Sequence, residues 1–210
     1  LMAAERMVPG QNYSPYMVQH VARYLWAMSI CQGKTVVDLG CGDGYGTSML
    51  SWVAETAEGI DLSREAVRES IRSYGSRQSI EISSEQQKNL IFNKSELEDL
   101  LNTLPDNPTS PVYRVADFSR PAELPNAEVG VCFEVLEHLE HPGELLQSIS
   151  DSSLSRVLFS VPNPLAGGSH INPHHVNDWS LREIKNLFRN SDGQVTSYHQ
   201  GLKRYQVKRG

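Results

Sequence analysis

With 210 residues the chain is long enough for one domain with a sizeable core and too short for two ordinary ones. Its 39% hydrophobic and 21% charged residues match an ordinary globule, and no apolar run approaches the ~20 residues that a membrane-spanning helix needs. A formal net charge of -6 opposes nonspecific attraction to phosphate backbones, so nucleic acid is not an expected partner, and the basic cluster Lys203, Arg204, Lys208 and Arg209 reads as a solvated edge.

Leu1-Met2-Ala3-Ala4-Glu5-Arg6 lacks the basic-then-apolar layout of a secretory signal, which makes the cytoplasm the default compartment. A chain opening on Leu reads as a trimmed piece, with a C-terminus open to truncation as well. Over residues 16–28, Val18, Val21, Ala22, Leu25 and Met28 recur at near-helical spacing and predict a first amphipathic helix that ends near Cys31. Cys31, Cys41 and Cys132 are odd in number and lack metal-ligand spacing, so they read as buried thiols. After a turn at Gly33-Lys34, the β-branched run 35–39 predicts a strand. It breaks at Gly40, Gly42, Gly44 and Gly46, and a helix is expected over 47–53. A second strand follows at 58–61. Ser63 is placed to cap the next helix, whose apolar stripe is Ala66, Val67, Ile71 and Tyr74. This βαβα rhythm implies a parallel sheet within an α/β fold.

The stretch 75–111 is long for a connection. Ser95-Glu96-Leu97-Glu98 has the form of a capping box, which predicts an inserted helix through Leu97, Leu100, Leu101 and Leu104. Strands are expected at 112–116, 129–133 and 156–161, with a helix over 135–146. Ser180 and Glu183 predict a capped final helix through Leu181, Ile184, Leu187 and Phe188, and 194–207 suits a terminal antiparallel pair. A single domain over 1–210 accommodates all of these elements.

Glycines after a first strand permit positive φ and let a ligand approach the backbone. The dinucleotide fingerprint wants glycine at its first, third and sixth positions. Counted from Gly40 the sixth is Tyr45, and counted from Gly42 it is Thr47, so the nicotinamide reading loses its motif. Asp38-Leu39-Gly40-Cys41-Gly42-Asp43-Gly44 instead resembles the first motif of class I S-adenosylmethionine (SAM)-dependent methyltransferases. The resemblance extends over about residues 5–188. It implies a Rossmann-like fold with a mostly parallel seven-stranded sheet and helices on both faces, and it makes SAM the cofactor. Asp38 and the Gly40 backbone would hold the methionine end, and Gly42, Gly44 and Glu134 would also contact the cofactor. Asp61, with Leu62 beside it, would take the ribose. Asp117 and Phe118 would receive the adenine amine and cover the ring. Each has a plain alternative as a turn glycine, a helix cap or core packing.

The segment Phe133-Glu134-Val135-Leu136-Glu137-His138 resembles the family's strand followed by E-x-x-E-H. If a helix starts near Glu134, then Glu134, Glu137 and His138 share one face and converge. Histidine ordinarily titrates near neutrality, so His138 is a candidate base for a hydroxyl proton, with Glu134 beside it. A divalent metal on Glu134, Glu137, His138 and His175, as in ubiquinone-pathway and small-RNA methyltransferases with this pattern, is the less favoured alternative. Asn172-Pro173-His174-His175-Val176-Asn177-Asp178-Trp179 looks like the N-P-x-H-V-x-E-[FW] motif of a bacterial methyltransferase group, which makes His175 a second catalytic candidate. Glu5-Arg6-Met7-Val8-Pro9-Gly10 resembles the same group, whose members occur among sugar-modifying enzymes. One departure is the missing leucine-lysine-proline-glycine-glycine turn, in whose place stands Asp151-Ser152-Ser153-Leu154-Ser155-Arg156.

The expected reaction is O-methyl transfer from SAM to a small-molecule or glycan hydroxyl. The alternatives are a metal-assisted RNA 2′-O-methyltransferase and a non-catalytic SAM-binding partner protein. The sequence says nothing of oligomeric state.

Overall fold

The β-branched run Thr35-Val36-Val37-Asp38-Leu39 forms strand β1 (Thr35–Leu39), buried along all but its first residue, as the centre of a parallel sheet covered on both faces requires. The computed structural model describes residues 15–75, 109–162, 175–177, 179–188, 196, 198–200 and 207–209. Strands β2 (Thr56–Asp61), β3 (Val112–Val115), β4 (Val129–Phe133) and β5 (Arg156–Ser160) join β1 in the order β3-β2-β1-β4-β5, and every pairing is parallel. The chain winds outward from β1 in both directions, so the order reverses between β1 and β4. Such a reversal opens a crevice at the carboxyl ends of the two strands.

Successive strand residues point to opposite faces and feed two cores. Val36, Val129, Val131 and Phe133 pack with Met17, Tyr24, Ala27 and Met28 of helix α1 (Pro15–Cys31) and Leu50 of helix α2 (Tyr45–Leu50). Val37, Leu39 and Cys132 face the other way and meet Ile60, Phe118 and Leu136, together with Leu145 of helix α4 (Pro142–Ser150). All three cysteines are buried free thiols.

Helix α3 (Arg64–Tyr74) is capped as expected, with Ser63 Oγ accepting from the Ala66 amide at 3.2 Å. Helix α5 (Leu181–Leu187) opens with the reciprocal Ser180–Glu183 capping box. Among the described residues no helix is long and apolar enough to cross a membrane. The proposed inserted helix at 97–104 lies outside the described residues.

Two expectations need correction. In place of one seven-stranded sheet, the described residues form the five-stranded parallel sheet and a separate antiparallel pair, β6 (Tyr198–Gln200) with β7 (Val207–Arg209), three-residue strands that pair with each other. The single helix expected over 135–146 is instead a short 3₁₀ turn, Leu136–His138, followed by α4. Pro142 accounts for the break. Its ring drives the preceding residue out of the helical region, and His141 sits at φ -126, ψ 72. Proline is itself well suited to a first helical turn.

Candidate active site

Three glycines of the loop after β1 adopt left-handed backbone, with φ of 78 at Gly40, 56 at Gly42 and 84 at Gly44. They are glycine for different reasons. A Cβ on Gly40 would stand 2.4 Å from Val135 Cγ2, and one on Gly44 would strike Ser70 and Tyr113. Among the described residues, a Cβ on Gly42 would meet nothing within 4 Å. Gly40 and Gly44 are thus needed for packing, while the space at Gly42 holds no described atom.

Asp61, at the end of β2, sets the shape of this loop. Its Oδ2 accepts from the Gly42 amide at 2.9 Å and its Oδ1 from the Ser63 amide at 2.8 Å, so one buried carboxylate ties the loop to the start of α3. Asp38 is 1% exposed. It accepts from Thr47 Oγ1 at 2.7 Å and from Tyr24 Oη at 3.1 and 3.2 Å, and burial pushes its pKa up to about 7 despite these donors. Leu62 is 55% exposed, and Val115, paired in register with Asp61, is also exposed. Asp117 accepts from the Ser119 amide at 2.9 Å, and Ser119 holds its carboxyl below the usual range. Phe118 is buried in the core with Leu39 and Ile60.

The end of β4 departs from expectation. Glu134 takes φ 56, and its amide donates to Ser160 O at 3.1 Å. Its Oε1 accepts from Ser160 Oγ at 2.7 Å and lies 3.5 Å from Arg23 Nη2. The face predicted for Glu134, Glu137 and His138 therefore does not form. A left-handed residue followed by a 3₁₀ turn, with three residues per turn, turns Glu134 towards α1 and β5. The converging group is Glu137, His138 and His175, whose ligand-capable atoms lie within 4.8 Å of one another. Glu137 is 1% exposed, and the two imidazole centroids are 5.0 Å apart with rings inclined at 79°. His175 is brought there by main chain, since the amides of Val176 and Asn177 donate to Glu137 O at 2.9 and 3.2 Å. Asn177 Nδ2 adds a bond to Leu139 O at 2.7 Å.

Helix α1 contributes a polar row absent from the sequence-based site. His20, Arg23 and Tyr24 fall at i, i+3 and i+4 on one face. Tyr24 reaches Asp38 and Arg23 reaches Glu134, while His20 Nδ1 shares a hydrogen bond with Tyr45 Oη. Burial, reinforced by Arg23, lowers the His20 pKa to about 3 and keeps the ring neutral. Polar residues at helical spacing within an otherwise apolar helix were the available signal. Arg6 and its flanking motif, with Asn172, His174 and Asp178, lie outside the described residues.

A family model described as a methyltransferase domain matches residues 13–198. A probable S-adenosylmethionine-dependent methyltransferase of Mycolicibacterium smegmatis is 32% identical over 69 residues, which is 31% of this chain and spans 26% of that protein's length. Among solved structures, the Synechocystis magnesium protoporphyrin IX methyltransferase with bound SAH superposes with a TM-score of 0.55 at 16% identity, covering 93% of this chain and 80% of that one. A putative methyltransferase from Haloferax volcanii, in complex with the activator Trm112, gives 0.57 at 20% identity over 87% and 71% of the two chains. The methyltransferase domain of bacterial CtHen1-C gives 0.55 at 18% identity over 87% and 89%. These structural likenesses establish the shared fold.

Proposed function

The chain belongs to the methyltransferase-domain family, and we propose that it moves the methyl group of SAM to the oxygen of a small-molecule or glycan hydroxyl. Its fold is the Rossmann-like class I methyltransferase fold. SAM, when bound, supplies an electrophilic methyl on a sulfonium. One observation carries the reading: the carboxylate of Asp61 fixes a glycine loop whose Gly42 side is open, in the crevice where the strand order reverses. In this reading the ligand comes close to the backbone at Gly42, the Asp61 carboxylate accepts from ribose hydroxyls, and exposed apolar side chains such as Leu62 and Val115 are available to a purine.

After β4, His138 and His175 supply two imidazoles near one buried carboxylate. In this reading one imidazole accepts the hydroxyl proton while the other, with Glu137, orients it, and the deprotonating oxygen is aligned for in-line attack. Glu134 belongs to the cofactor side, through Arg23 and Ser160. Turnover of labelled SAM on hydroxylated sugars and quinols tests the proposal. His138→Ala is expected to leave SAM affinity nearly intact and to lower kcat about 10²-fold or more, in the range of general-base removal. Full activity in that variant would reassign His138 to scaffold.

A second reading is supported by the convergence of Glu137, His138 and His175. Two imidazoles and a carboxylate suit a divalent ion such as manganese or zinc better than magnesium, and a bound ion would acidify a coordinated hydroxyl. Transfer to RNA ends that stops on chelation and returns with the ion would favour this route over the acid–base one, although the net charge of -6 argues against an RNA acceptor. Normal SAM binding with no transfer to any acceptor would point to a non-catalytic partner role.

A further inference from the structure

We propose that Asn177 is a positioning residue for the acceptor side. Its side-chain amide pins the turn that carries His138 to the segment that carries His175, and so fixes how the two imidazoles face each other. This role deepens the reading of the two histidines given above and rests on it. The peptide carbonyls on either side of His138 both accept from residues just after His175. Glu137 O takes the Val176 and Asn177 amides at 2.9 and 3.2 Å, and Leu139 O takes Asn177 Nδ2 at 2.7 Å. His138 thus lies between two anchor points, and His175 immediately precedes the first donor. Both rings are half-buried beside the buried Glu137, with centroids 5.0 Å apart and planes inclined at 79°.

Asn177 suits this role by its place and by its chemistry. The turn that presents His138 is a single 3₁₀ turn, Leu136–His138, and such an element has poor internal hydrogen-bond geometry. Leu139 has already left it, at φ -92, ψ 124, so its carbonyl is free to meet a donor from another segment. Downstream of Asn177 the chain enters α5 through the capping residue Ser180, and Ile184 of α5 packs in the second core. The pin therefore ties both histidines to an element seated in the core. Of the three bonds that join the two segments, this one comes from a side chain, so a substitution removes it and leaves the main chain intact. An aspartate of the same shape has no N–H to give when ionised and would set a carboxylate oxygen against the Leu139 carbonyl. Misplacing a proton acceptor by about 1 Å from the reacting oxygen can cost about 10²-fold in rate.

The test reads the ring pair and the reaction separately. In NMR with labelled histidine, and with no acceptor present, wild-type protein is expected to show a through-space contact between the His138 and His175 rings. Asn177→Asp is expected to lose that contact while its S-adenosylhomocysteine affinity by calorimetry stays unchanged. On the sugar or quinol that labelled SAM turns over, Asn177→Asp should lower kcat about 10- to 100-fold with little change in acceptor KM. Asn177→Gln, which keeps the amide on a longer arm, should recover part of the loss. The effect should vanish in a His175→Ala background, because Asn177 acts through that ring. A ring contact and a kcat that both survive in Asn177→Asp would overturn the assignment. So would a kcat loss of the same size in the His175→Ala background, or a loss of S-adenosylhomocysteine affinity together with the contact, either of which makes Asn177 a general support. Loss of the contact with full turnover would remove the histidine pair from the reaction, a failure of the underlying reading that is distinct because the pin itself has then been seen to act.

Discussion

Alanine at Gly40 and alanine at Gly42 impose the same backbone penalty and different packing penalties, so the pair isolates what each glycine is for. Both sit at positive φ, 78 and 56, where a Cβ costs about 1–2 kcal/mol. At Gly42 that is the whole cost, because the added methyl enters open space. At Gly40 the methyl lands 2.4 Å from Val135 Cγ2, on a short branched side chain that is itself buried, so the neighbour must shift to make room. Overpacking of a buried β-branched neighbour adds about 1–3 kcal/mol. Gly40→Ala is therefore expected to lose about 2–5 kcal/mol in urea denaturation, and Gly42→Ala only about 1–2 kcal/mol. Ligand binding should rank them differently. Gly42→Ala, though well folded, fills the space a bound ligand would use and is expected to lose most of its S-adenosylhomocysteine affinity by calorimetry. Equal denaturation midpoints, or a Gly42→Ala protein that binds normally, would refute the division of labour.

Asp61→Ala removes the acceptor of two main-chain amides, Gly42 N and Ser63 N, and should weaken S-adenosylhomocysteine binding by about 1–3 kcal/mol; calorimetry showing unchanged affinity would remove Asp61 from the site. His20 and Asp38 predict opposite pH dependences of stability. His20 has a pKa of about 3 when folded against 6.5 when free, so its contribution is present above about pH 6.5 and is lost as pH falls towards 3. Asp38 is raised to about 7 from 3.8. Between those values the folded state holds a proton that the unfolded chain has released, and stability falls as pH rises. Relative to wild type, His20→Leu should gain on acidification from pH 6.5 to 4 and Asp38→Asn should gain from pH 4 to 7, each by about 4 kcal/mol at most. Denaturation series in which both differences stay flat with pH would contradict these assignments.

The parts of the fold that depend on local chemistry were legible in the sequence. The β-branched run before Gly40, the Ser63 cap and the Ser180–Glu183 box each specify their own surroundings, and each forms where its residues predict. The glycine loop and Asp61 were legible too, because strand-end placement follows from the order of the elements. The split between Glu134 and Glu137 was not. Helical spacing makes them neighbours, and only the left-handed Glu134, together with the turn that stops short of Pro142, sends one towards Arg23 and leaves the other beside His138. Tyr24, Thr47 and Arg23 escaped for a different reason. Their partners Asp38 and Glu134 lie on other elements, and tertiary packing decides which residues on an amphipathic helix meet a strand end.

The amides of Val176 and Asn177, which follow His175, hang from the peptide oxygen of Glu137. Exchanging Glu137 for glutamine would keep the main-chain acceptor of these two bonds while erasing a formal charge near the two imidazoles. If the proposed acceptor side is right, its polarity can thus be retuned by a single codon with the main-chain anchor of the His175 segment kept. A lineage or a designer could explore new acceptors there without touching the glycine loop or Asp61.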